Sequence, residues 1–304
     1  MSDLNYYLLV DKIKIKQANA ISSPITYGFP SITGFLGAVH ALNRKLLGER
    51  NIFLDGVLVA CHDYQIHTFR SNKYSNATFI QSRNPIKKNG NTASIIEEGK
   101  IDITVSLLIE VKLEAKALNW FENQENQQLF INEVKKLIYQ QRIAGGYVTE
   151  IKKIKLYDYY NTTESNIKSD LLPGFLLCEA KEELKEITEE LQKVNPQATS
   201  LDALIELSTI HHIPQENGSW TSNNIKTNRG WLVPIPVGFQ AIDEVMKKGK
   251  LKNCRTNEYP AQYAEAVYTL GKWIFPYRID KLENCFWRYK TIENKLYIAT
   301  QKIN

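Results

Sequence analysis

Ile101-Asp102-Ile103-Thr104-Val105-Ser106-Leu107-Leu108-Ile109-Glu110-Val111-Lys112-Leu113 carries an aliphatic side chain at every odd position and a polar one at most even positions. Successive side chains in a strand point to opposite faces, so this period of two predicts a strand with one packed and one wetter face. Upstream, Gly56–Phe69 alternates in the same way, with Val57, Val59 and Cys61 on one side. Downstream, Leu129, Val134, Leu137 and Ile138 recur at helical spacing, which predicts a helix over 123–142 that stops at Ala144-Gly145-Gly146. Tyr147–Tyr157, with Lys152, Lys153 and Lys155, is then a strand. At the start of the chain Tyr6, Leu8 and Val10 share one phase while Ile13 and Ile15 take the other, which predicts a strand with a bulge near Asp11. Lys12, Lys14 and Lys16 share a face there, either guarding a sheet edge or facing nucleic acid.

Between the first two strands, Asn19–Pro30 is small, hydroxylated and broken by Pro24, Gly28 and Pro30, so it reads as a loop. Ser31 or Thr33 then caps a helix over 33–47, in which Phe35, Leu36, Val39, Leu42 and Leu46 form the apolar stripe. A helix start holds unpaired N–H groups and attracts anions, so Asn19, Ser22, Ser23 and Thr26 are candidate phosphate contacts. His40 and Arg44 lie one turn apart behind them. The order strand, helix, strand, strand, helix, strand is the ferredoxin-like, split βαβ arrangement of an α+β protein, shared with the RNA-recognition module. The aromatic stacking motifs of that module are absent from the chain.

Residues 70–100 interrupt this pattern. Arg70, Lys73, Arg83, Lys87, Lys88 and Lys100 face only Glu97 and Glu98, amid asparagines and with little apolar periodicity. A basic, Asn-rich finger suits a phosphate backbone, whether it orders on a partner or stays a solvated loop. The first domain is thus read as 1–160 and a helical and β-hairpin part as 161–304. The latter begins with an acidic amphipathic helix, Glu179–Val194, whose Leu184, Ile187 and Leu191 point inward. A short helix over 201–210 follows, with His211-His212 at its end and a polar loop over 217–228. Trp231–Val237 is an edge or crossing strand, because Pro234 and Pro236 deny it a full ladder. Lys247, Lys248, Lys250, Lys252 and Arg255 form the densest basic run, a solvated turn or a backbone-binding patch. Pro260–Ile274 reads as a helix with Tyr263, Val267, Leu270 and Ile274 inward, and Cys285–Tyr289 with Leu296–Thr300 as a closing hairpin.

A formal charge of +5 over 304 residues permits an acidic partner without demanding one, so clustering has to carry that case. The four cysteines are far apart and lack metal-ligand spacing, no run is apolar enough to span a bilayer, and nothing resembles a signal peptide. These features predict buried thiols in a reducing cytoplasm, no membrane association and no metal or cofactor. Phosphate-loop, dinucleotide and nucleophile-elbow motifs are also missing.

Four segments carry a family resemblance. Asn19-Ala20-Ile21-Ser22-Ser23-Pro24, with Gly28-Phe29-Pro30-Ser31 and Phe35-Leu36-Gly37, opens the series. Gly230-Trp231-Leu232-Val233-Pro234-Ile235-Pro236-Val237-Gly238, Tyr268-Thr269-Leu270-Gly271-Lys272-Trp273-Ile274 and Phe286-Trp287-Arg288-Tyr289 follow in order. Together they resemble the Csy-two family, the Cas-five-type subunit of type I-F CRISPR surveillance complexes. The resemblance implies a ferredoxin-like fold in which the Gly145-Gly146 turn corresponds to the superfamily's glycine-rich loop. It further implies a non-enzymatic subunit that binds the 5′ handle of CRISPR RNA, pairs with the large type I-F subunit and caps a filament of backbone subunits. Target DNA would then meet the assembled complex. One departure stands out: an arginine expected after the proline near Pro260 is replaced by Ala261-Gln262, although Arg255 keeps its place. Two rival readings are a protein scaffold with little RNA contact and a metal-independent ribonuclease using His40 and Arg44.

Overall fold

The computed structural model describes residues 4–46, 51–252, 254, 256–293 and 295–301. Its architecture is mixed α/β with antiparallel sheet, in two compact units. The first takes in the chain up to Leu177 together with Ile274–Phe286; the second takes in Cys178–Trp273 and the chain from Trp287 on.

The first unit runs β1 Leu4–Asn19, α1 Ile32–Leu46, β2 Ile52–Ile66, β3 Lys100–Leu113, α2 Ala115–Phe121, α3 Gln124–Tyr139, β4 Gly146–Asp158, α4 Glu164–Asp170 and β5 Phe175–Glu179. Its antiparallel sheet has the order Arg142–Ile143, β4, β1, β3, β2, β5. The bulge in β1 is present: its register against β3 shifts between Val10 and Ile13, and Lys12 takes φ +47°. Lys12, Lys14 and Lys16 do not guard an edge, because β1 is flanked on both sides. They pair instead with Asp11, Glu150 and Asp102. The wetter face expected of β3 closes over in the middle, where Ser106 and Glu110 are buried and Glu110 Oε2 accepts the Gly56 N–H at 3.0 Å.

The helix expected over 123–142 is shorter and is preceded by α2, with Asn123 accepting from the Glu125 N–H as its cap. Phe130, Val134 and Ile138 form its buried stripe, and Leu129 lies outside. Gly145-Gly146 is not a helix stop. Ala144 (φ +50°) and Gly145 (φ +83°) turn a hairpin that pairs Ile143 with Gly146, a geometry in which both turn residues need positive φ. A Cβ on Gly146 would stand 2.6 Å from the Lys16 carbonyl oxygen, so glycine alone fits there. The returning segment 274–286 docks through Lys168 Nζ on the Ile279 carbonyl at 2.7 Å and a Tyr7–Phe286 stack at 5.2 Å.

The second unit runs α5 Lys181–Gln192, α6 Ser200–Ser208, β6 Trp231–Ala241, β7 Ala264–Ile274, β8 Arg288–Ile292 and β9 Leu296–Thr300. Its sheet order is β7, β6, β9, β8. Leu184, Ile187 and Leu191 of α5 pack with Leu204, Leu207, Leu232 and Leu270, as the period of α5 requires. The helix expected over 260–274 is a strand. Its positions 263, 267, 270 and 274 fit a helical stripe by coincidence, but Val267, Tyr268, Thr269 and Trp273 favour a pleated surface and β6 supplies the ladder. Residues 231–237 pair on that side only, which is where proline is tolerated. His211-His212 is likewise not a helix end: His211–Pro214 pairs with Trp220–Asn223 as an exposed ribbon. The closing hairpin is present as β8 and β9, with Asn294 of its expected turn outside the described residues.

Candidate nucleic-acid interface

The expected loop over 19–30 is a small hairpin in which Ile21–Ser23 faces Thr26–Tyr27. Asn19 N–H donates to the Ala144 carbonyl at 2.9 Å, which brings the end of β1 against the 144–145 turn. Gly34, in the first turn of α1, lies so close to the same turn that a Cβ on it would be 3.1 Å from Ala144 Cα. These three pieces border an open cleft of about 430 Å³ lined by Asn19, Ser22, Ser31, Thr33, Gly37, Ala38, Arg142 and Gly145. Small residues on α1 let a ligand approach the backbone, and the first turn of the helix holds no acidic residue to compete with an anion. Arg142 Nη1 reaches back to the Gly145 carbonyl at 3.4 Å, and its guanidinium is exposed at the cleft.

The structure thus gathers Asn19 and Ser22 into one cleft. Ser23 and Thr26 are occupied in holding the hairpin: Thr26 Oγ1 sits 2.6 Å from Ser23 Oγ and 2.7 Å from Ser22 Oγ, and Ser23 Oγ also accepts the Thr26 N–H. His40 and Arg44 are exposed one turn apart on α1, outside the cleft lining. Arg142 was not legible in the sequence, where it fell at the end of a helix; only the hairpin turns it toward α1.

The segment 70–100 forms a ribbon of short paired strands. Thr68–Phe69 pairs with Thr78–Phe79, Gln81–Arg83 pairs with Ile95–Glu97, and the Lys87 N–H on the Asn91 carbonyl at 2.9 Å closes the tip. Arg70, Lys73, Arg83, Lys87 and Lys88 are all exposed, and among the described residues none of them makes an ion pair. Lys73 Nζ lies 4.7 Å from the Tyr74 ring centre. Lys247, Lys248, Lys250 and Lys252 are exposed on a loop of the second unit, and Arg255 falls outside the described residues.

His62 on β2 and His67 just past its end are both held by side-chain partners. His62 Nε2 is 2.7 Å from Ser106 Oγ, which donates to Asp11 Oδ1 at 3.0 Å and accepts the Lys12 N–H at 2.9 Å. The carboxylate therefore holds the hydroxyl and not the imidazole, the reverse of a nucleophilic triad. Burial, and next the Lys12 ammonium, lower the pKa of His62. His67 pairs with Asp102 at 3.1 Å. Burial disfavours the Asp102 carboxylate, but Lys16, the Gln17 N–H and His67 outweigh it and lower its pKa. Among the described residues no cluster of three or more His, Cys, Asp or Glu is arranged for a metal, and no helix is long and apolar enough to cross a membrane.

A family model described as CRISPR-associated protein (Cas_Csy2) matches residues 8–299. The chain belongs to the Csy2 family of CRISPR-associated proteins, and its role lies in CRISPR defence. One relative, the CRISPR-associated protein Csy2 of Pseudomonas aeruginosa (strain UCBPP-PA14), is 31% identical over 315 residues, which span 97% of this chain and 94% of the relative.

Proposed function

We propose that this protein is a non-catalytic, cytoplasmic RNA-binding subunit of a type I-F interference complex. It holds the 5′ handle of CRISPR RNA, pairs with the large subunit and caps the backbone filament; target DNA is met by the assembled complex. The first unit is a ferredoxin-like domain of the RAMP kind. Supporting that, the fourth, first, third and second long strands lie side by side in that order, and α1 and α3 pack on one another.

The observation that carries the reading is the cleft between Asn19, the first turn of α1 and the 144–145 turn, with Arg142 at its mouth. N–H donors, small walls and one guanidinium suit a phosphate, and Asn19 suits the edge of a splayed base. The finger adds charge: among the described residues Arg70, Lys73, Arg83, Lys87 and Lys88 make no ion pair, while Lys100 pairs with Glu98. Binding without cleavage is favoured because His40 and Arg44, the best base and phosphate-stabiliser pair in the chain, stand outside this lining.

The test is fluorescence anisotropy with a handle-length RNA, on the chain alone and with the large subunit. Arg142→Ala should weaken binding about tenfold or more, the worth of a hydrogen bond to a charged group. Unchanged affinity would remove the cleft from the account. Binding that needs the large subunit and ignores neutralised Lys247, Lys248 and Lys250 would favour a scaffold, with the acidic α5 as a docking element. Metal-independent RNA cleavage abolished by His40→Ala would make the chain a ribonuclease.

A further inference from the structure

β4 ends the sheet of the first unit. Arg142–Ile143 covers only Gly146 and Tyr147, so from Val148 onward β4 has β1 as its single neighbour among the described residues. The Ile151 N–H turns away from β1 and donates to Tyr139 Oη at 3.1 Å. Backbone direction alternates in an antiparallel strand, so Lys153 and Lys155, paired with Asp11 and Leu9, turn their N–H and C=O groups to the same open side. An open edge of this length is a template for another strand.

The groove beside this edge is cationic. Gln128, Asn132 and Lys135 recur along one side of α3 and meet Ile151, Lys153 and Ile154 around a space of about 180 Å³. Among the described residues Lys135, Lys136, Lys152 and Lys153 make no ion pair, while Lys155 is held by Asp170. Contact with Lys155 lowers the pKa of Lys153, against the opposing pull of the Asp170 and Asp11 carboxylates.

We propose that the open edge of β4 takes an extended, acidic segment of a partner protein as an added strand, with a carboxylate side chain seated between Lys135 and Lys153. A protein strand uses the alternating donors and acceptors of the edge, whereas phosphates use donors only. The space between α3 and β4 suits one side chain and not a nucleotide.

The test uses a short fluorescein-labelled peptide of alternating glutamate and valine, its lysine–valine counterpart, and a short oligouridylate, each titrated against the full chain. The acidic peptide should bind and its basic counterpart should not. Lys135→Glu should abolish binding, and Lys153→Pro, which removes an outward N–H that β1 does not use, should weaken it about tenfold. Hydrogen exchange supplies a readout that needs no variant: the Lys153 and Lys155 amides should become protected when the acidic peptide is present. Failure of the acidic peptide to bind, binding without that protection, or full displacement by oligouridylate would overturn the proposal, the last by making this edge a nucleic-acid surface.

Discussion

Neutralising the finger is the sharpest perturbation available. Arg70, Lys73, Arg83, Lys87 and Lys88 are exposed on the ribbon, and none of them makes an ion pair among the described residues. If each meets one phosphate of a single strand, the five together contribute about 3.5 to the slope of log affinity against log salt, at about 0.7 apiece. Over a fourfold rise in salt, the native chain should then lose about 100-fold more affinity than a chain with all five changed to glutamine. Such a variant should fold, since none of the five is buried. Anisotropy titrations of CRISPR RNA at a series of chloride concentrations, with the large subunit present, read the slope directly. Slopes that differ by less than about 0.7, one phosphate, would refute the assignment of the finger to the RNA backbone.

Two other consequences concern the stability of the first unit. Gly146→Val should lower stability to urea by about 1–3 kcal/mol, the usual cost of forced packing, because its Cβ meets the Lys16 carbonyl and Ala18 N; an unchanged midpoint would mean that β1 can give way there. His62 remains neutral in the folded chain at pH values where the unfolded chain is protonated, below about 6.5. Its contribution to stability is therefore present above that pH and lost as pH falls through the lowered folded-state pKa. His62→Gln should flatten this part of the profile of urea midpoint against pH, and equal slopes in both chains would show that His62 takes its proton without cost.

What the sequence determined by itself was local periodicity. The alternation of 101–113, the phase break at Asp11, the stripe of α1 and the inward face of α5 each commit a segment to one shape, because a strand and a helix repeat over a few residues. The stretch 263–274 satisfies both periods, and only the neighbouring β6, a strand with prolines that needs a ladder on one side, decides between them. The Gly145-Gly146 pair is equally ambiguous. It stops a helix or turns a hairpin, and the pairing of Ile143 with Gly146 settles which. The cleft lay furthest from view. Asn19 and Gly34 meet the 144–145 turn across more than a hundred residues of chain, and no local pattern encodes a contact at that separation. The sheet makes it, by laying β1 beside β4, and with it turns Arg142 from a helix-end cation into a wall of the site.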